Sequence, residues 1–311
     1  MTAARALLAG IVDYAGLFPP AARSMDESVR EHARWRRSAE AWMLGRFVVP
    51  AARLVELSRA AEAYLPRPGE GDPWRLSALL GPDVRGDSAL VTAFNASQAG
   101  SAVVDAVELK AGTAEEAEAA LDALPGGLAA FVEAPLGREL GGVLATLGRR
   151  RARAKVRTGG VVPEAIPDPS ALARFIASCA AEGVPFKATA GLHHAVRAEH
   201  PLTYEPGGPR AVMHGFLNVF AAAAFASVGA TAADVEAVLR DEDASAFRFD
   251  DGLAWRHLRV SADDVAKARR DGATSFGSCS FAEPVDDLRS LGVLARAEEP
   301  RLALAPRRGT P

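Results

Sequence analysis

From about residue 46 the chain alternates short β-rich apolar runs with Ala-rich amphipathic stretches, the pattern of a parallel sheet whose strands are joined by helical crossovers. The runs that read as strands are 46–50 (RFVVP), 75–80 (RLSALL), 105–110 (DAVELK), 128–134 (LAAFVEA), 152–157 (ARAKVR), 185–190 (PFKATA), 246–260 and 274–281 (TSFGSCSF). Helices fall between them. TAEEAEAALDAL opens on a Thr cap with an acidic first turn, DPSALARFIASCAAEG ends on Gly, and SADDVAKARRDG has a Ser cap and a closing Gly. Eight β segments over this length predict an α/β fold, a single (β/α)8 barrel. The seventh differs in kind, because AFRFDDGLAWRHLRV carries a DDG turn and reads as a hairpin rather than a strand with a crossover.

Three regions organise the chain: an N-terminal extension at 1–45 that packs on the barrel, the barrel itself at 46–297, and a flexible tail at 298–311. The extension holds DESVREHARWRRSAEAWML, a helix with Asp26 near its start that would close the barrel bottom. The segment 192–213 is a long connection after the PFKATA strand, of the length that lids and binding loops have. The residues from Asp13 and Tyr14 to the Phe18-Pro19-Pro20 turn suit either a structural plug or a cover over substrate.

Composition narrows the function classes. With 36 basic and 39 acidic side chains the net charge is −3, which argues against nucleic-acid binding through overall positive charge. Two cysteines cannot form a disulfide framework, so a reducing, cytoplasmic setting is expected. No apolar run is long enough to span a bilayer, and the N-terminal apolar run, broken by Asp13 and followed by two prolines, reads as folded protein rather than as a signal peptide. Within the basic total only Lys110, Lys155, Lys187 and Lys267 are lysines; the rest are Arg. A bias toward Ala, Gly, Arg and Pro accounts for that scarcity. It also draws attention to the lysines that remain, because an amine can deprotonate and act as a nucleophile where a guanidinium cannot.

Catalytic groups of a barrel sit at the C-terminal ends of its strands. Those ends carry Glu108 and Lys110, Glu133, Lys155 and Arg157, Lys187 and Thr189, and the run Ser278 to Ser280 around Cys279. Residues two apart share a face, so Glu108 pairs with Lys110, Lys155 with Arg157, and Lys187 with Thr189. Parallel strands are normally continuous apolar runs. Charged pairs repeated at period two therefore need partners or substrate, and converging cations suit an anionic carbonyl compound. Thr158, Gly159 and Gly160 after the AKVR strand would let backbone amides approach a carboxylate or phosphate, although a Gly pair after a strand is equally an ordinary turn.

Lys187, in FKATAGLHH among small and apolar residues, is the candidate nucleophile. Burial and the cations Lys155 and Arg157 are expected to lower its pKa so that the neutral amine attacks a carbonyl. His193 and His194, with Glu108 and Glu133, are the candidate proton carriers. His214 and Asn218 in MHGFLNVF, one helical turn apart, are candidate substrate contacts, weighed against a core-facing helix with a satisfied histidine. Cys279 lies in a small-residue strand end, and Cys179 in a helix is most simply core.

PFKATAG resembles the Lys-Thr-Ser-Thr-Gly strand of the deoxyribose-phosphate aldolase group, and VDAVELK with the late FGS resembles segments of type I dehydroquinate dehydratases. IVDYAGLFPPA, FKATAGLHH and MHGFLNVF together resemble segments of a single bacterial family. The likeness covers strand-end fragments of the chain. It implies a class I aldolase-type barrel with a Schiff-base lysine on its sixth strand, here Lys187, and no cofactor. The chain departs from the pattern in reading Lys-Ala instead of Lys-Thr, in the cysteine of FGSCS, and in having no lysine on a seventh strand. The expected partner is a small anionic metabolite, with no nucleic acid and no membrane; assembly into a homo-oligomer is compatible with it. The first alternative is a metal-dependent lyase or hydrolase ligated by His193, His194, His214 and Cys279 with Glu108 or Glu133, against which stands the absence of HxH or HExxH spacing. The second is a barrel that binds an anion without turning it over.

Overall fold

The structure, a computed structural model, describes residues 2–295. Eight parallel strands close into a barrel: β1 (Val12–Tyr14), β2 (Leu44–Pro50), β3 (Trp74–Leu79), β4 (Ala102–Lys110), β5 (Ala129–Glu133), β6 (Arg153–Arg157), β7 (Phe186–Thr189) and β8 (Ala273–Ser278). Each strand pairs with the next, and β8 closes on β1. The predicted (β/α)8 architecture is the one observed.

Two of its parts stand elsewhere than the sequence pattern placed them. The barrel begins at Val12, inside the segment read as an extension, and not at residue 46. A three-residue strand is too short to show periodicity, and all of β1 is buried, Asp13 included. The hairpin-like segment contributes no barrel strand. Phe247–Phe249, Gly252–Trp255 and Leu258–Ser261 form a separate antiparallel sheet, as their DDG turn requires. The tail predicted at 298–311 lies outside the described residues.

Local chemistry places the helices. Ser24 caps Met25–Trp35 in a reciprocal capping box with Glu27, and Thr113 caps Ala114–Asp122. Asp168 caps Pro169–Glu182, which ends on Gly183 at φ 61°, a left-handed stop suited to glycine. The helix Phe216–Ser227 is apolar nearly all round and is correspondingly buried, with Phe216 stacked on Phe276 of β8 at 5.1 Å. Between β7 and that helix the long connection folds into an antiparallel hairpin of Ala198–Pro201 and Arg210–Met213. Among the described residues no helix is long and apolar enough to cross a membrane.

Register brings the charged positions to one level. Glu133 lies opposite Lys155, Lys155 opposite Lys187, and Arg157 opposite Thr189. All are near the C-terminal ends of their strands, where a barrel keeps its reactive groups.

Candidate active site

Asp13, Glu108, Lys155 and Lys187 are buried inside the barrel. Lys187 Nζ donates to Asp13 Oδ2 at 2.5 Å and to Glu108 Oε1 at 2.7 Å. The other oxygen of Glu108 is 3.0 Å from Lys155 Nζ, which is also 3.0 Å from Glu133 Oε2. Arg157 Nε donates to Glu133 Oε1 at 3.3 Å. Charge thus alternates along one row: Asp13, Lys187, Glu108, Lys155, Glu133, Arg157. Its buried end is firmly held. Asp13 accepts the Ser275 hydroxyl and the Arg46 backbone N–H, each at 2.8 Å, and Glu108 accepts the Ser77 hydroxyl at 2.8 Å. Lys187 Nζ also sits 5.4 Å above the Phe131 ring.

Burial alone would neutralise these groups, and their ion pairs oppose it. Burial raises the Glu108 carboxyl, yet Lys187 and Lys155 hold it well below the usual range. Glu133 is lowered in the same way by Lys155 and Arg157, against its burial. For Lys187, burial pulls the pKa down, but Asp13 and Glu108 outweigh it and the net shift is upward. The expectation of a neutral Lys187 is therefore overturned: the sequence showed the neighbouring cations and concealed the two carboxylates that fold onto the amine. The two lysines also differ in geometry. Both contacts of Lys187 are aligned hydrogen bonds, whereas those of Lys155 are ion contacts without that alignment.

A cavity of about 310 Å³ opens above this row, lined by Glu108, Lys155, Arg157 and Lys187 together with Thr189, Gly160, His193 and Cys279. Phe18 and Pro19 form part of its wall, so the segment after β1 borders the site. Arg157 is the accessible cation, its side chain 45% exposed and tied to Glu133 by one nitrogen. Glu133 lines an adjoining cleft with Lys110, Lys155 and Arg157.

His193 is the histidine at this cavity. Its Nδ1 lies 2.9 Å from Glu283 Oε2 and 3.4 Å from the Ser278 hydroxyl, while Tyr204 donates to Glu283 Oε1 at 2.9 Å. Burial raises the Glu283 carboxyl, but the hydrogen bond and charge of His193 bring it below the usual range. With Nδ1 held, Nε2 is the ring nitrogen left for proton transfer. The Cys279 thiol is pushed up by burial and lies 3.7 Å from the Tyr204 hydroxyl.

Other candidates are drawn elsewhere. His194 turns to Asp287, 3.1 Å from its Oδ2, and stacks on His200 at 3.5 Å; it lines the neighbouring pocket, not the lysine cavity. His214 is a core histidine whose Nε2 donates to the Pro167 carbonyl at 2.8 Å, and burial holds its pKa down at about 4. Asn218 is a buried staple: its amide donates to the Val238 and Asp241 carbonyls at 2.8 Å, and its oxygen accepts the Arg197 backbone N–H at 2.9 Å. Neither lines the lysine cavity, because each is spent on backbone groups. Thr158 is buried and donates its hydroxyl to the Ala190 carbonyl. Gly159 serves close packing and not an anion, since a Cβ there would lie 2.9 Å from the Gly191 Cα. The metal-ligand set is not assembled; among the described residues no three His, Cys, Asp or Glu side chains gather where they could hold an ion.

Asp13, the partner of Lys187, carries one sequence signal, that of a lone acid within LLAGIVDYAGLF. Ser77, Ser275, Glu283 and Tyr204 had no comparable mark, as each joins the site only through the fold. Counting from β1 also renumbers the lysines. Lys155 is on the sixth strand of the barrel and Lys187 on the seventh.

Fold and site together define the class: a parallel (β/α)8 barrel with a buried lysine–carboxylate network under a cavity at its C-terminal mouth. No known family model matches the chain, and no curated protein matches it.

Proposed function

We propose that the chain is a lyase of the class I aldolase type, acting on a small anionic carbonyl compound through an imine on Lys155. The observation that carries this reading is the division of Glu108 between two buried lysines, Oε1 to Lys187 at 2.7 Å and Oε2 to Lys155 at 3.0 Å, at a cavity that Arg157 also lines. Lys187 is the better anchored and its pKa is raised, so it serves as the permanent ammonium. Lys155, without aligned hydrogen bonds, is the amine free to turn toward a carbonyl. Lys155-Val156-Arg157-Thr158-Gly159 also shares the Lys, Thr and Gly spacing of the Lys-Thr-Ser-Thr-Gly strand, and Lys187 supplies the seventh-strand lysine.

A substrate carboxylate or phosphate pairs with Arg157 and draws it from Glu133. That leaves Glu133 beside Lys155 as the base that takes up the proton the amine gives up as it engages the carbonyl. The neutral amine adds to the carbonyl carbon, and the carbonyl oxygen leaves as water after gaining two protons. The resulting iminium accepts the electron pair of the bond that breaks one carbon further along. His193, oriented by Glu283, carries the substrate proton released or taken up in that step.

Cyanoborohydride trapping with a panel of 2-oxo acids and phosphorylated aldehydes and ketones, followed by peptide mass mapping, tests the proposal. Reduction should fix one substrate on Lys155. An adduct on Lys187 would exchange the two roles, and a compound that is turned over without trapping on either lysine would remove the imine altogether.

A further inference from the structure

Three spaces lie in a row at the mouth of the barrel. The lysine cavity shares Leu79, Glu108, Lys155 and Arg157 with a cleft of about 800 Å³ on one side. On the other it shares Pro19, Gly160, Ala190 and His193 with a pocket of about 550 Å³ beneath the 198–213 hairpin. Arg157 thus marks one end of the cavity and His193 the other, with Lys155 and Lys187 in the same cavity.

We infer that the pocket beneath the hairpin binds the hydroxylated tail of an extended substrate, a 2-oxo acid whose carboxylate meets Arg157, whose carbonyl meets Lys155, and whose chain passes His193 into that pocket. The inference rests on the lysine-imine reading and adds the substrate class to it.

The order of the groups sets the polarity of the substrate. An anion at Arg157 and a carbonyl in the same 310 Å³ cavity must be close together in the molecule, as they are in a 2-oxo acid. The remaining chain has a joined pocket to enter, whereas a compound confined to the first cavity would leave that pocket unused. The lining of the pocket selects the chemistry of the tail. Its carboxylate Glu283 is engaged by His193 and Tyr204, and its cation Arg210 lies 3.6 Å from Glu199 on the same hairpin. Glu205 is exposed at the tip of the hairpin. What the pocket offers a ligand is the edges of the stacked His194 and His200 rings, the unpartnered Thr203 hydroxyl and the Tyr204 hydroxyl, which donates to Glu283 and can still accept, set among Leu202 and Met213. Burial, with His194 alongside, holds His200 below its ordinary pKa. Ring nitrogens and a phenol beside carbon surface match hydroxyl groups on a carbon chain; a purely aliphatic tail would leave those polar edges desolvated.

The probes are pyruvate, 2-oxohexanoate and 2-oxo-3-deoxygluconate, each trapped with cyanoborohydride over a concentration series and read by intact mass. The hydroxylated six-carbon acid should reach half-maximal trapping at a concentration at least tenfold below pyruvate and below 2-oxohexanoate. Tyr204→Phe and His200→Leu, both on the hairpin, should each cut its preference over pyruvate by about tenfold, which corresponds to about 1.4 kcal/mol. Equal trapping of all three acids, a preference for 2-oxohexanoate, or a preference unmoved by both hairpin substitutions overturns the inference and leaves the imine standing. If none of the three labels Lys155 or Lys187, while a carbonyl compound outside this class does, the substrate class is wrong; if no carbonyl compound labels either lysine, the imine falls and the inference with it.

Discussion

Replacing Glu108 by Gln is the most direct test of the charge row. The substitution preserves shape and leaves a partner for the Ser77 hydroxyl, but it takes one negative charge from between two buried ammonium groups. Lys187 then keeps only Asp13, and Lys155 only Glu133. Breaking a buried pair from one side costs about 3–5 kcal/mol, and Glu108 serves two partners, so the loss should reach at least the middle of that range, about 4 kcal/mol. At roughly 2–4 °C per kcal/mol for a chain somewhat smaller than this, that lowers Tm by about 8–16 °C. Urea unfolding at pH 7 measures the loss directly. The pH dependence carries a sign. The raised pKa of Lys187 means that its stabilisation is complete below the ordinary lysine range and is lost as pH rises through the higher folded value. The lowered pKa of Glu108 means that its stabilisation is present above the ordinary glutamate range and is lost as pH falls through that range toward the folded value. The wild type should therefore be insensitive to pH in these terms between about 6 and 9. Combining Glu108→Gln with Lys187→Met should cost at least about 2 kcal/mol less than the two single losses together, because each substitution strands the partner that the other removes. A Glu108→Gln protein within about 1 kcal/mol of wild type, with no coupling to Lys187→Met, would refute the reasoning.

Other substitutions separate structure from chemistry. His32 and His214 are buried with pKa values held down at about 3 and about 4, so the unfolded chain binds protons that the folded one refuses. Stability should fall as pH drops below about 6.5, by about 2 kcal/mol per residue at pH 5, and His32→Phe should remove its share; denaturation at pH 7 and pH 5 checks this. Asn218→Ala should destabilise by about 3 kcal/mol in urea unfolding while leaving trapping on Lys155 intact, because the three hydrogen bonds it removes all go to backbone groups away from the lysine cavity. Gly191→Ala combines a φ of +77° with a Cβ 2.7 Å from the Gly159 Cα and should cost about 1–3 kcal/mol, read as a Tm shift. Arg157→Met should raise the half-saturating concentration of an anionic carbonyl probe about tenfold without changing the final yield of adduct.

Hydrophobic periodicity pointed to the fold class, because alternating β runs and capped amphipathic helices admit few packings; it marked seven of the eight barrel strands, and the count of eight was completed by the 246–260 hairpin in place of β1. It also located Glu108, Lys155, Arg157 and Lys187, since a charge in an otherwise apolar strand is conspicuous whatever its partners. Three residues of β1 were too few to show a period, so the strand carrying Asp13 stayed hidden and each lysine was numbered one strand too low. Partnership was beyond local pattern in the same way. Asp13 reaches Lys187 across 174 residues of chain and Glu283 reaches His193 across 90, and the sign of the Lys187 shift depends on such contacts. His214 and Asn218, whose residue types suited substrate binding, became core staples for the same reason. A sequence shows which side chains must find a partner, because an unpaired charge or amide is costly to bury; only the closed barrel decides which partner each one finds.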